Sequence, residues 1–187
     1  NEVRAFSSVY LGEPEALSSA TRRPIPLKDI HRIQMLCREV DDETRWLIGL
    51  ISDTGMRLSE AAGLAVADLQ LDHPQPHITL RPHPWRRLKT QGSERIVPLV
   101  GASLWAARRA VAAASHYFLF PRYYDETRCK GNSASAALNK WMSPRVPSGC
   151  VLHSFRHSFR DRLRAVEFKR PGNPPYLNTS LSATVSA

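Results

Sequence analysis

The sequence predicts a mostly helical α+β domain that carries one small antiparallel sheet, and three observations support that class. Apolar residues recur every three or four positions over most of residues 24–167, as the buried face of a helix requires. Two short runs, "HITL" at 77–80 and "RIVPL" at 95–99, alternate instead and are rich in β-branched residues. The chain has 187 residues, 42% of them apolar, which is enough for one core.

Residues 1–23 show no sustained period and run into "TRRPIP", so they read as a linker or arm. From Leu27, the residues Leu27, Ile30, Ile33 and Leu36 fall on one helical face. "DDETRWLIGLISDTG" then opens with acidic residues and closes on a glycine, the polarity expected of a second helix. "MRLSEAAGLAVADL" supplies a further helical turn that ends near Asp68. The two alternating runs form a hairpin, because the prolines and Gln91-Gly92 between them supply turns. "GASLWAARRAVAAAS" and "NSASAALNKWM" return to helix, with the apolar patch "YFLFP" between them. On a final helix, Leu152, Phe155, Phe159, Leu163 and Val166 form one stripe expected to face the core. Residues 168–187 hold three prolines, small polar residues and no period, which reads as an irregular tail.

No apolar run reaches the length of a membrane span. The N-terminal stretch lacks the basic start and apolar middle of a signal peptide, so a cytoplasmic protein without membrane contact is expected. Cys37, Cys129 and Cys150 are too few and too scattered for a disulfide framework, in keeping with a reducing compartment. Cys150 and His153 make a C-x-x-H pair with no second pair at metal spacing, so neither a metal nor another cofactor is expected.

The net charge of +9 points to a polyanionic partner, with nucleic acid first among the candidates. Residues 1–65 carry eight Lys or Arg against ten Asp or Glu, whereas residues 66–187 carry eighteen against seven. The basic surface therefore belongs to the second part, where apolar periodicity places it on folded structure.

Three clusters carry chemistry. Arg57 follows Thr54-Gly55 into a helix, with Glu60 three residues later. Lys89 lies beside the hairpin turn, in the company of Arg86, Arg87 and Arg95. His153 and Arg156, continued by His157 and Arg160, line the flank of the last helix beside its apolar stripe. Arginine suits phosphate because its planar fork donates two hydrogen bonds and stays charged at any working pH.

In this order, "TGMRLSEAAGL", "RLKTQGSERIVPL" and "LHSFRHSFRDRL" resemble the catalytic domain of the tyrosine recombinases, the phage integrase family, over roughly residues 24–166. The resemblance implies the tyrosine-recombinase catalytic-domain fold for residues 24–167, and a function in site-specific DNA integration or recombination for a mobile genetic element. Arg57 and Arg156 would grip the scissile phosphate, Lys89 would protonate the departing 5′-hydroxyl, His153 would assist proton movement and phosphate orientation, and Glu60 would buttress Arg57. Arg86, Arg87, Arg95 and Arg160 would contact the DNA backbone, with Arg162 and Arg164 as further backbone contacts or solvent charges. The partners implied are double-stranded DNA and further copies of the chain on that DNA.

The family's nucleophile is a tyrosine that follows a Gly-His or Gly-Trp motif downstream of the His-x-x-Arg helix. Neither dipeptide follows Arg156, and Tyr176 is the one tyrosine beyond it. The family texture stops near Val166, which suggests a truncation or a shifted frame. The alternative to an enzyme is then a non-catalytic DNA-binding remnant of an integrase.

Overall fold

A computed structural model describes residues 23–88, 93–123 and 131–167. Six helices and one sheet follow in the order α1 (Leu27–Val40), α2 (Glu43–Thr54), α3 (Leu58–Ala62), β1 (Leu69–Gln70), β2 (His77–Leu80), β3 (Arg95–Pro98), α4 (Gly101–Ala113), α5 (Gly131–Met142) and α6 (Ser154–Glu167). The linker and tail assigned to 1–23 and 168–187 lie outside the described residues, apart from Arg23.

Helix α2 is the axis of the domain. Leu47, Ile48, Leu50 and Ile51 are all at most 2% exposed, because a helix apolar on every side must be surrounded. It packs against α1, α4 and α6. Small residues let α4 approach closely: a Cβ on Gly49 would stand 3.3 Å from Cβ of Ala106. Its ends are fixed by local chemistry. The Asp42 carboxylate accepts from the Arg45 amide at 2.9 Å, and Gly55 closes the helix at φ +60°, a conformation glycine adopts without steric cost.

Strands β2 and β3 pair antiparallel with Ile78 opposite Val97 and Leu80 opposite Arg95, so the expected hairpin is present. Ile78, Leu80 and Val97 point into the core. Strand β1 adds a third, two-residue edge through Leu69 opposite Ile78. The sequence reading missed it, because two residues carry no period.

Two helix faces differ from expectation. On α1, Ile30, Ile33 and Cys37 are buried while Leu27 is half exposed, so the stripe is rotated by part of a turn. On α6, Leu152 just before it and Phe155 within it are buried and Phe159 is half-buried, but Leu163 and Val166 are 50% and 60% exposed. Only the first half of the stripe meets the core among the described residues. The entering chain docks on that same half: the Ser158 hydroxyl accepts from the Ile25 amide at 2.7 Å. Arg162, expected on DNA or in solvent, instead donates to Asp53 Oδ1 at 2.9 Å and to the Ser52 carbonyl at 2.6 Å. The other Asp53 oxygen accepts from the Ala102 amide at 2.9 Å, so one carboxylate ties α6, α2 and the start of α4.

The uneven stripe sets a stability contrast. Phe155→Ala should cost about 3–5 kcal/mol, whereas Leu163→Ala should stay within about 0.5 kcal/mol. Urea unfolding of both variants measures the difference.

Candidate active site

The turn after α2 builds one wall of the site. The Thr54 hydroxyl caps the Leu50 carbonyl at 2.7 Å, and Gly55 turns the chain so that its own carbonyl faces α6. Arg156 Nη1 donates to that carbonyl at 2.8 Å. A side chain on Gly55 would meet Phe159 at 2.8 Å, so the contact between turn and helix requires glycine.

Arg57 stands at the start of α3, in extended conformation. Glu60 reaches back to it: Oε2 accepts from the Arg57 amide at 3.0 Å, as the acidic member of a capping box does, and Oε1 accepts from Arg57 Nη1 at 2.7 Å. Arg95 on β3 donates to Oε2 from the other side at 2.9 Å, and to the Ser93 carbonyl at 2.8 Å. The Glu60 side chain is 3% exposed. Burial alone would raise its carboxyl, but the hydrogen bonds from Arg95 and from the Arg57 amide and guanidinium outweigh it and hold the group below its ordinary value.

A cavity of about 370 Å³ opens between the turn, β3 and α6, with Gly55, Arg95, His153, Arg156, Phe159 and Arg160 among its walls. Arg156 is pulled below the ordinary guanidinium range by burial first and then by Arg57, with Arg95 and Arg160 adding to the effect and Glu60 opposing it. Even lowered, an arginine remains a cation at neutral pH. His153 lies just before α6 and also borders a second cavity, of about 320 Å³, with Met56, Ser135 and Asn139. Its loop is held to α5 by Asn139, whose Oδ1 accepts from the Leu152 amide at 2.7 Å. His157 sits one turn on, its ring centroid 5.4 Å from that of His153.

The structure therefore brings together Arg57, Glu60, Arg95, His153, Arg156 and Arg160. Arg87 is exposed away from these contacts, and Lys89 and Tyr176 lie outside the described residues. Arg86 corrects the sequence reading. Expected on a DNA backbone, its side chain is 1% exposed and pairs with the fully buried Asp68 at 3.1 Å. It also donates to the carbonyls of Gly63 at 3.0 Å and Arg81 at 2.7 Å. Asp68 further accepts from His83 at 2.8 Å and from the Ala65 amide at 3.1 Å. Trp85 stacks on His83 at 4.4 Å and donates to Gly63 O at 3.2 Å, which closes the network toward solvent. The missed signal was Asp68 itself, a lone carboxylate in "GLAVADLQL", which needs a cation if it is buried.

Among the described residues no group of three or more His, Cys, Asp or Glu side chains gathers as metal ligands do. Burial pushes the Cys37 thiol up to about 12, and burial also raises Cys150, so neither is a ready nucleophile. No described helix is long and apolar enough to cross a membrane.

The family model described as "Phage integrase family" matches residues 25–167. Two solved complexes of the Tn1549 transposon integrase with circular intermediate DNA are similar in fold. One has a TM-score of 0.59 at 19% identity, covering 80% of this chain and 55% of that one. The other has a TM-score of 0.55 at 19% identity, covering 78% and 55%. This chain thus spans about half the length of the solved chains it resembles. No curated protein matches it.

Two buried carboxylates generate predictions. Arg86→Met should destabilise by about 3–5 kcal/mol, because it strands Asp68, while Arg87→Ala should change stability by less than about 0.5 kcal/mol. Thermal unfolding of the pair checks the reassignment. Glu60 has a depressed folded value, so its contribution is complete above the ordinary carboxylate range and disappears as pH falls through the folded value. Glu60→Gln should lose on the order of 2 kcal/mol at pH 7 and show a flatter decline in acid, read from urea midpoints between pH 7 and pH 3.

Proposed function

The chain belongs to the phage integrase family, and from that membership we propose that residues 24–167 are the catalytic domain of a tyrosine-type site-specific recombinase acting on double-stranded DNA. One observation carries the proposal: Arg95, Arg156 and Arg160 line one cavity, Arg57, from 99 residues earlier than Arg156, lies close enough to lower the pKa of Arg156, and the adjoining carboxylate, Glu60, is already occupied by Arg57 and Arg95. Such a site is built to receive an anion. The Tn1549 integrase structures that share the fold hold DNA, which supports DNA as that anion.

In this reading the two guanidiniums donate to the nonbridging oxygens of the scissile phosphate. Negative charge gathers on those oxygens as a fifth oxygen approaches phosphorus, so fixed cations stabilise the transition state more than the ground state. A tyrosine oxygen attacks phosphorus and the 5′-oxygen leaves. The tyrosine proton passes to a base, a step that His153 would assist, and Lys89 donates a proton to the departing 5′-oxygen. The product is a 3′-phosphotyrosyl ester and a free 5′-hydroxyl. Attack by a 5′-hydroxyl reverses the step, so one ester replaces another and neither ATP nor a metal is called for. Glu60 acts through Arg57, fixing its fork. Arg87 and Arg160, both exposed, serve the DNA backbone, and copies of the chain assemble on that DNA in the cytoplasm.

The nucleophile this scheme requires within the chain is Tyr176. A second reading, a DNA-binding integrase remnant that does not cut, is favoured by the match ending at residue 167.

The two readings part on a covalent adduct. Incubated with nicked duplex carrying its recombination site, a catalytic chain should give a band that survives denaturing electrophoresis, and Tyr176→Phe should abolish it. Arg156→Ala should reduce adduct formation by about a hundredfold or more and weaken binding only mildly. DNA binding without any adduct would establish the remnant, and loss of fold in Arg156→Ala would sink the assignment of that residue.

A further inference from the structure

We propose that the cavity between the turn after α2, β3 and α6 is matched to a dianionic phosphate, the terminal phosphomonoester of a broken DNA strand, in preference to the monoanionic diester of an intact one. The inference rests on the reading of this cavity as a phosphate site and adds the charge class of the ligand.

Arg95 and Arg156 line the cavity, Arg57 stands beside it, and one carboxylate, Glu60, answers the three guanidiniums. Both Glu60 oxygens are taken, Oε1 by Arg57 at 2.7 Å and Oε2 by Arg95 at 2.9 Å and by the Arg57 amide at 3.0 Å. Among the described residues the hydrogen bond of Arg156 goes to a neutral partner, the Gly55 carbonyl at 2.8 Å. Among the described residues no carboxylate lines the cavity, and Arg160 adds a further cation to its wall. The three arginines and Glu60 leave a surplus of two positive charges, before any contribution from Arg160.

A phosphodiester brings one negative charge and two nonbridging oxygens. A phosphomonoester, whose second ionisation lies near pH 6, brings close to two charges at neutral pH and three terminal oxygens. The second charge gains most in a partly buried site, where solvent screens less. Arg95 is the residue that makes the difference. Without it Glu60 would neutralise Arg57 alone, and the surplus would fall to one. Its side chain is about one-third exposed and lines the cavity, so it is available to a ligand while held by Glu60.

The test uses the full chain and four duplexes of one sequence, followed by fluorescence anisotropy: unbroken, nicked with hydroxyl ends, nicked with a phosphate end, and nicked with the same phosphate capped as its methyl ester. The phosphate is placed on the 3′ side in one series and on the 5′ side in another, which identifies the strand end recognised. The methyl ester keeps the break and nearly the same shape but carries one charge. The expected result is that one phosphate end binds about tenfold tighter than its methyl ester, the worth of roughly one charge-assisted hydrogen bond. Arg95→Gln should erase that ratio and Arg95→Lys should retain most of it. Equal binding of phosphate and methyl ester on both sides would overturn the inference and leave the phosphate-site reading intact, with the surplus serving only the dianionic transition state of a diester. Failure to bind any duplex would overturn both. Should Arg95→Gln fail to fold, the wild-type ratio alone decides.

Discussion

The carboxylate of Glu60 is the constraint on which the site depends. It is buried, and it joins the start of α3 to β3 by accepting from Arg57 and Arg95 at once. An isolated carboxylate in that place would be costly, and two guanidiniums without it would repel each other. Paired, the three groups fix the position of Arg57 and bring the hairpin strand to the cavity wall. The net contribution to stability is modest, because desolvation offsets much of the attraction. What the arrangement supplies is geometry: a long, mobile side chain is held in one orientation before any ligand arrives.

Asp68 repeats the device one layer back. It gathers Arg86, His83 and the Ala65 amide behind the sheet, and Arg86 reaches from there to the carbonyl of Gly63 at the end of α3. Helix α3 is therefore held at its start to β3 through Glu60 and Arg95, and at its end to the connection between β2 and β3 through Arg86. A five-residue helix has little stability of its own. Its position, and with it that of Arg57, is set by these two buried charges rather than by its own hydrogen bonds.

Most of the architecture was legible because it follows from period. The helices, the hairpin and the clusters around Arg57 and Arg156 are local patterns, and local patterns survive folding. What escaped were facts about partners. Arg86 and Arg87 are adjacent in a basic turn and indistinguishable in composition, yet one is buried against Asp68 and the other faces solvent. No local rule separates them, because the deciding residue lies 18 positions away. Arg162 escaped in the same way, being claimed by Asp53 from a different helix. On α6 the period correctly identified an apolar stripe, but period specifies a face and not how far along it a neighbour extends.

That uneven burial bears on how the site is held. Like-charged guanidiniums cannot supply the force that assembles them, so it must come from elsewhere in the fold. Helix α6 delivers Arg156 because Phe155 is buried, Ser158 binds the segment before α1 and Arg162 binds α2; all three lie within two turns of Arg156. Helix α2 delivers the Gly55 carbonyl because it is enclosed on every side. Among the described residues, packing is concentrated in the first half of α6, where the cationic side chains need a rigid base, and thins toward Leu163 and Val166. The repulsion stored among the arginines is thus balanced by an apolar core directly beneath them. An anion entering the cavity relieves that repulsion, so ligand binding and fold stability draw on the same contacts.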